Sequence, residues 1–489
     1  MATTQDRLTA PAAVAPAVGA NSTNWFGLGL AIVIGLIIMM MPTPAGLTPV
    51  GQKVLAITAF TVVLWVFQVI NNGIAAILMM ALMIPAGVRV PDALSGFSQG
   101  SWWILAAVLF YGCAMKSTGL AARISYYILS LFPATYTGIL SAFLLIGLIL
   151  ALGIPSMTVR TAIMVPIAWA VVQSLDIKPG SKGSALIILT TVEMAVIPGV
   201  GLLLSSLNGP VIQSVFQSKN LPLSYGEYAA VMALPTLVIC VLIIIANQIV
   251  LKPDSPLRVS SGFAKKELQK LGSMKQSEMI TAIIVIASIV LWAFPATWLP
   301  KTTFLHLPSF VIGMIGLALF GLAGIIKDSD MGTGVSWTLL LFIGGVFSLQ
   351  TVVQAVKITD WLGGYFIPVA LKMSSNTFLL MAVLSVSVMI LRFIDPTGFI
   401  VIPVLFLPLV DVLMKAGINP LVVVAPTTVA SAPFFMTYQN FWIAMSEGLT
   451  GGKAYTGKQR MIAATTYAVV VLAVLVVSVI YWKLIGKIA

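Results

Sequence analysis

Gly153-Ile154-Pro155-Ser156-Met157-Thr158-Val159-Arg160 is a short polar turn set inside a long apolar stretch. Arg392-Phe393-Ile394-Asp395-Pro396-Thr397-Gly398 is another, at the matching place in the second half of the chain. Each is followed, some tens of residues later, by a further interruption. The first runs from Pro198-Gly199-Val200-Gly201 to Ser205-Ser206-Leu207-Asn208, the second from Ala432-Pro433-Phe434-Phe435 to Tyr438-Gln439-Asn440. Unwound backbone in hydrocarbon has no water to bond its N–H and C=O groups, so it persists only where it lines a protected cavity. Interruptions in corresponding positions of two halves point to a transporter's binding site.

The rest of the composition agrees with a membrane setting. The chain has 489 residues, 59% hydrophobic and 8% charged, with a mean hydropathy of +1.07. Soluble domains are about 25% charged. Stretches such as 238–246 and 468–477 are apolar on every face, which is the pattern of spanning helices and not the alternation of a barrel strand. The net charge of +12 sits in short loops, as the positive-inside rule expects, so the partner is the lipid bilayer and not nucleic acid. Cys113 and Cys240 lie in apolar segments without metal-ligand spacing, and the sole histidine, His306, abuts a segment start. No disulfide framework, metal site or cofactor is expected, and an enzyme would need a nucleophile–base set that is missing here. A channel would need rings of like polar residues along a pore; paired hairpins suit alternating access better.

Hydrophobic periodicity predicts an all-α polytopic membrane protein with about eleven transmembrane helices plus two re-entrant hairpins in two inverted repeats. Residues 1–24 read as a disordered polar tail, and 25–250 as the first helix and first repeat, with a hairpin at 137–173. A basic cytoplasmic linker spans 251–278, and 279–489 form the second, inverted repeat with a hairpin at 376–414. Breaks within spans are expected near 198–201 and 432–434. Within the linker, 261–271 fits either a basic amphipathic helix on the inner surface or a plain solvated segment. The distribution of Lys and Arg places the N-terminus in the cytoplasm, with Lys265 and Lys458 inside and Lys301 and Lys415 outside. A bacterial inner membrane is the expected location.

The halves repeat. Ser101-Trp102 and Ser336-Trp337 each open a span, the polar turns follow, and Asn208 and Asn440 close the series, at offsets of about 232–239 residues. An odd number of crossings per repeat inverts the second against the first, which puts a site near the midplane. Half-helices starting at the tips aim N–H groups and a positive dipole at the cavity, which favours an anion. Ser156, Thr158 and Thr397 can donate hydroxyl bonds to its oxygens or cap their helices; the two roles are compatible. Arg160 fits a bidentate clamp on an oxyanion, or a distant acidic partner such as Glu193. A charge at membrane depth costs about 2.5–3.5 kcal/mol on insertion scales, so it faces a cavity or a partner. Arg392, three residues before Asp395, reads first as a local ion pair. Glu193, in Thr190-Thr191-Val192-Glu193, fits a coupling proton or a structural pair. Asp411 and Glu447 lie near segment ends.

These motifs resemble the divalent anion/sodium symporter family, which carries dicarboxylates, citrate or sulfate. The likeness runs over most of 50–485. That family's hairpin tips carry Ser-Asn-Thr with a Pro several residues on; here the tips are Ser156-Met157-Thr158 with Pro166 and Asp395-Pro396-Thr397 with Pro403. Its broken helices resemble 199–208 and, more loosely, 431–440. Lys116-Ser117-Thr118-Gly119-Leu120-Ala121-Ala122-Arg123 is similar to its pattern after the fourth helix. The resemblance implies a homodimer, a mobile transport domain moving as an elevator against a scaffold, and a small anionic substrate held by Ser156, Met157, Thr158, Arg160, Asn208, Asp395, Pro396, Thr397 and Asn440. Gly199, Gly201, Glu193, Ala430 and Ser431 would flank the coupling ion. The family's signature Asn residues help bind sodium and carboxylate. Met157 and Pro396 replace them here and supply no side-chain oxygen, although main-chain carbonyls remain. An Arg at 160 is similar to the family's dicarboxylate exchanger branch. Exchange or proton coupling is therefore the first expectation. A sodium-coupled symporter, or another antiporter of the wider ion-transporter superfamily, is the alternative.

Overall fold

The computed structural model describes residues 24–488 except 155, 207, 222, 255–256, 258–261, 294–306, 359–360, 362–375, 393–408, 411–412, 415–416 and 437–438. The tip Asp395-Pro396-Thr397 and most of the segment 376–414 beyond its first helix therefore lie outside the described residues, as do Lys301 and Lys415. The described chain is helical, without strands. In chain order the main helices are α1 (Trp25–Met40), α2 (Pro49–Val66), α3 (Asn72–Met83), α4 (Gly100–Thr118), α5 (Leu120–Leu131), α6 (Tyr136–Gly153), α7 (Met157–Ser174), α8 (Lys182–Val200) and α9 (Asn208–Ser218). They continue as α10 (Tyr225–Val250), α11 (Phe263–Lys270), α12 (Gln276–Ala293), α13 (Ser309–Leu322), α14 (Trp337–Ala355), α15 (Thr377–Leu391), α16 (Leu421–Ala430), α17 (Phe441–Leu449) and α18 (Gly457–Leu484).

Local chemistry sets the ends. Thr135, Ser156 and Ser181 cap α6, α7 and α8 with side-chain oxygens, and Ser224 with Glu227 and Thr456 with Gln459 form reciprocal capping boxes on α10 and α18. Gly119, at φ +90°, ends α4 in a left-handed conformation, and the chain turns by 68° into α5. Seven described helices are long and apolar enough to cross a bilayer, or eight if α4 and α5 are one bent span. Shorter apolar helices, among them α1, α3, α12, α13, α15 and α16, join them. The two arms of the first hairpin are α6 and α7, each of 18 residues.

Two groups of helices emerge. In one, α1 packs on α2, α2 on α3, α3 on α14, α4 on α12 and α13, and α12 on α13. Small residues let these backbones approach: a Cβ on Gly345 of α14 would stand 2.7 Å from that of Ala76 of α3. Trp102 of α4 fixes its indole N–H on the carbonyl of Leu340 in α14 at 2.9 Å. In the other group, α8 packs on α6, α7 and α10, while α18 packs on α10, α15 and α16. Every residue of α8's membrane window is buried, so it is the axis of this group. The linker is helical over α11, which settles on α5. Arg123 of α5 ties it down by donating to the carbonyls of Leu271, Gly272 and Ser273 at 3.3, 2.8 and 3.1 Å and pairing with Glu278 at 3.0 Å.

Candidate functional site

The first break lies a little later than Pro198 indicates. α8 stays helical through Val200, unwinds over 201–206, and resumes as α9 at Asn208. Proline in the last turn removes only one intrahelical bond, the one to the carbonyl of Met194. That carbonyl is met by Gly147 of α6, where a Cβ would come within 2.0 Å of it, so only glycine lets the hairpin arm close on α8. Gly209 plays a similar part past the break: a Cβ there would meet the Leu203 carbonyl oxygen at 1.5 Å.

The tip of the first hairpin meets this break. Ser156 is buried, and its hydroxyl accepts from Val159 N–H at 3.3 Å, opening α7. Met157 and Thr158 are half-buried in the first turn. Arg160, one turn on, is 0% exposed. Its guanidinium donates to the carbonyls of Ala195 at 2.6 Å, Ser205 at 2.8 Å and Val196 at 3.4 Å, to the Ser205 hydroxyl at 3.3 Å, and to the Ile154 carbonyl. One side chain thus joins the end of α6, the body of α8 and the break. Carbonyl dipoles, not a carboxylate, neutralise it. Gly199 makes room for it, since a Cβ there would stand 2.1 Å from Arg160 Nη2. Ser205 donates its hydroxyl to the Ala151 carbonyl and so anchors the break to α6 as well. Among the described residues, the contacts of Arg160 are all with main-chain carbonyls and one hydroxyl, so it does not pair with Glu193.

The second break has a comparable tie. α16 ends at Ala430, and Ser431 hydrogen-bonds back to the Thr428 carbonyl at 2.6 Å. Asn440, buried at the head of α17, donates to the Pro433 carbonyl at 2.6 Å and closes the break into a loop. Arg392, 1% exposed just past α15, donates to Asn440 Oδ1 at 2.9 Å and to the Gln439 carbonyl. Gln439 itself accepts from Met436 N–H at 2.9 Å.

Two tyrosines finish the helices that lead into the breaks. Tyr228 of α10 donates to the Val200 carbonyl at 3.0 Å, and Tyr467 of α18 donates to the Val429 carbonyl at 2.6 Å. Both carbonyls belong to last turns, which run out of i+4 donors; Val429 also accepts from Ala432 N–H at 3.2 Å. Sequence reading missed both tyrosines and Asn247, and it marked Ser205 and Gln439 only as parts of the breaks. For the tyrosines the available signal was a matching pair, Tyr228 and Tyr467, at the repeat offset of 239 residues.

Of the residues singled out from sequence, Ser156, Arg160, Gly199 and Gly201 gather at the first break, with Asn208 buried at the start of α9. Asn440, Ala430 and Ser431 mark the second break. α17 packs on α7 and α9 touches α16, which brings the two repeats together there. Glu193 stands apart from Arg160: its Oε2 accepts from Asn247 of α10 at 2.6 Å. A cavity of about 480 Å³ opens elsewhere, between Phe132, Ser174 and Phe263, and none of the tip residues lines it.

A helical membrane chain with two unwound breaks, each tied by a buried arginine, has the build of a transporter. The sequence matches the family described as sodium:sulfate symporter transmembrane region over residues 22–488, and the chain belongs to that family. It is 24% identical to the putative malate transporter YflS of Bacillus subtilis, over 68% of this chain and 70% of that one. It is 23% identical to the sodium-dependent dicarboxylate transporter SdcS of Staphylococcus saprophyticus, over 85% and 83%. The solved structure of the Alcanivorax borkumensis YdaH transporter superposes with a TM-score of 0.56 at 12% identity, covering 94% of this chain and 97% of that one, a likeness of fold.

Proposed function

We propose that this protein is a secondary active transporter of small dianions, dicarboxylates first and sulfonates or sulfate as related oxyanions, and that it works without sodium, by exchange or proton coupling. The dianion sits between the two tips, against the N-termini of α7, α9 and α17, with hydroxyls of Ser156, Thr158 and Thr397 donating to it. Met157 stands beside it in the first turn of α7, Pro396 is its counterpart in the sequence of the second tip, and Asn208 and Asn440 stand at the heads of their half-helices. Arg160 acts as a positioning residue: it holds the break in shape and adds a fixed positive charge beneath the site. Asp395 completes the second tip.

The observation that carries sodium independence is the occupation of the oxygens. A sodium site at the first break needs a cage of carbonyls, because Met157 offers no side-chain oxygen. The carbonyls of Ile154, Ala195, Val196 and Ser205 already accept from Arg160. A second cation on the same oxygens would face the guanidinium at contact distance. This cluster therefore does not fit sodium, and Gly199, Gly201, Ala430 and Ser431 serve to shape the breaks. Arg160 is fixed to the protein, so it stabilises a bound anion without coupling to any gradient.

Movement follows the two helix groups. The group around α8 carries the breaks and slides as an elevator against the group of α1–α4 and α12–α14, which forms the scaffold and a homodimer interface. The protein resides in a bacterial inner membrane with its N-terminus in the cytoplasm. The sodium-coupled alternative draws support from the printed name of SdcS. Uptake of labelled malate, succinate or sulfate into proteoliposomes, with internal dianion and with or without sodium, tests the reading. Stimulation by internal dianion or by an inward proton gradient supports it, and a strict requirement for sodium overturns it.

A further inference from the structure

Glu193 is a carboxyl group within α8, whose whole membrane window is buried, and is itself 1% exposed. Its Oε2 accepts from Asn247 Nδ2 at 2.6 Å, and the same amide nitrogen donates to Thr190 Oγ1 at 3.0 Å. Glu193 Oε1 and Asn247 Oδ1 are both buried without a hydrogen-bond partner. Two orphaned acceptors on two side chains already joined by one hydrogen bond are costly, about 1–3 kcal/mol each.

Among the described residues, the surroundings supply no cation. From α10, Cys240 is within electrostatic reach, and from α18, Tyr467 is. Tyr467 donates its hydroxyl to Val429 and Tyr228 of α10 donates to Val200, so neither faces the carboxyl as a donor. Arg160 of α7 is directed at the carbonyls of Ala195 and Val196. Arg392, beyond α15, is directed at Gln439 and Asn440. α6 carries only Tyr136, at its outer end, and α16 carries no titratable side chain. α17 carries Glu447, which pairs with Arg460 at 2.7 Å. An ionised Glu193 would be a charge in a low-dielectric interior held by one amide.

We propose that Glu193 and Asn247 form a proton-binding site: Glu193 carries a proton on Oε1 that it donates to Asn247 Oδ1, while Asn247 Nδ2 donates to Oε2. This two-bond acid–amide pair removes both orphans at once and leaves no net charge. Resting on the transporter reading above, the pair is the coupling site, and the coupling ion is H+. Glu193 lies within one turn of Ala195 and Val196, the carbonyls that Arg160 grips from the hairpin tip. A tip that shifts when the dianion leaves therefore pulls on the turn that holds the carboxyl. The proton passes from Oε1 to water on the releasing side and returns from water on the loading side; no bond to carbon changes and no electron moves.

The purified full-length protein tests this by infrared difference spectroscopy at neutral pH. Wild type minus Glu193→Gln is expected to show a protonated-carboxyl C=O stretch that moves in deuterated water. Asn247→Leu, which keeps the acid but removes its amide partner, is expected to shift that band without abolishing it. Carboxylate stretches in place of the acid band, or an acid band untouched in Glu193→Gln, would overturn the site. In proteoliposomes, the ratio of dianion uptake with an inward proton gradient to uptake without one is expected to exceed one in wild type and to fall to one in Glu193→Gln. An equal ratio in both overturns the coupling role. If wild type takes up no dianion at all, the transport reading fails, while the infrared band still decides the proton site.

Discussion

Arg160 Nη1 lies 2.8 Å from the carbonyl oxygen of Ser205, and that hydrogen bond crosses from the first hairpin to the first break. It joins a cation to the unwound backbone of 201–206, 45 residues away in sequence. Unwound main chain normally needs water or an ion to satisfy it. Here a planar side chain with five N–H donors does so, and it does so in a shape that lysine does not share.

Arg160→Lys is accordingly expected to weaken dianion binding about tenfold or more, the equivalent of roughly 1.4 kcal/mol. The ammonium keeps the charge but cannot span the carbonyls of Ile154, Ala195 and Ser205. Arg160→Ala is expected to lose binding and to lower the thermal midpoint, because the Ile154 and Ser205 carbonyls, outside any helix, lose their donor at about 1–3 kcal/mol each. Isothermal titration with succinate, alongside thermal unfolding, reads both. Wild-type affinity in the lysine variant would assign the guanidinium a role in charge alone.

Gly199→Ala offers a steric check on the same contact. Its Cβ would stand 2.1 Å from Arg160 Nη2 and 2.6 Å from the Ser205 carbonyl oxygen. Nothing at that spacing survives without displacing the guanidinium, so binding and stability are expected to fall together. Gly226→Ala is the control: no heavy atom lies within 4 Å of its added Cβ. Its stability is expected to stay within about 0.5 kcal/mol of wild type. Equal melting of both variants would remove Gly199 from the site's architecture.

Much of this was legible in the sequence, for a physical reason. Polar and helix-breaking residues are expensive inside a bilayer, so the tip Ser156-Met157-Thr158, the breaks, and the arginines at 160 and 392 stand out against apolar neighbours. What those arginines bind was not legible. A main-chain carbonyl has no side-chain signature, so Arg160 looked toward an anion or toward Glu193. The first break lies within the stretch 198–208 marked by Pro198 and the glycines, although the last turn of α8 absorbs Pro198 and the chain unwinds only at Gly201. Glu193 was visible, whereas Asn247, 54 residues on, reads as one amide in a lipid-facing run until the fold brings it to 2.6 Å.

Tyr228→Phe and Tyr467→Phe test the capping of the two breaks. Tyr228→Phe removes the donor to the Val200 carbonyl, at a cost of about 1–3 kcal/mol, whereas in Tyr467→Phe the Val429 carbonyl keeps the Ala432 N–H at 3.2 Å and a smaller loss is expected. Tyr228 lies beside Thr428 and Tyr467 donates to its neighbour Val429, so the two losses are expected to couple and the double variant to depart from their sum. Thermal unfolding in detergent gives the comparison. A Tyr228→Phe variant that melts with wild type would show that the Val200 carbonyl finds another donor.

The orientation is checked by cysteine labelling in intact cells. Single cysteines at Lys265 and Lys458 are expected to be shielded from an impermeant maleimide until the membrane is opened, and cysteines at Lys301 and Lys415 to react at once. Prompt external labelling at 265 or 458 would invert the topology.

The most direct test of dianion transport without sodium is uptake of labelled succinate by proteoliposomes under three gradients. Vesicles preloaded with unlabelled succinate, or facing an inward proton gradient, are expected to accumulate label at the same rate in sodium, potassium or choline. Steep stimulation of net uptake by an inward sodium gradient, absent with potassium or choline, would contradict sodium independence and restore a sodium-coupled symporter.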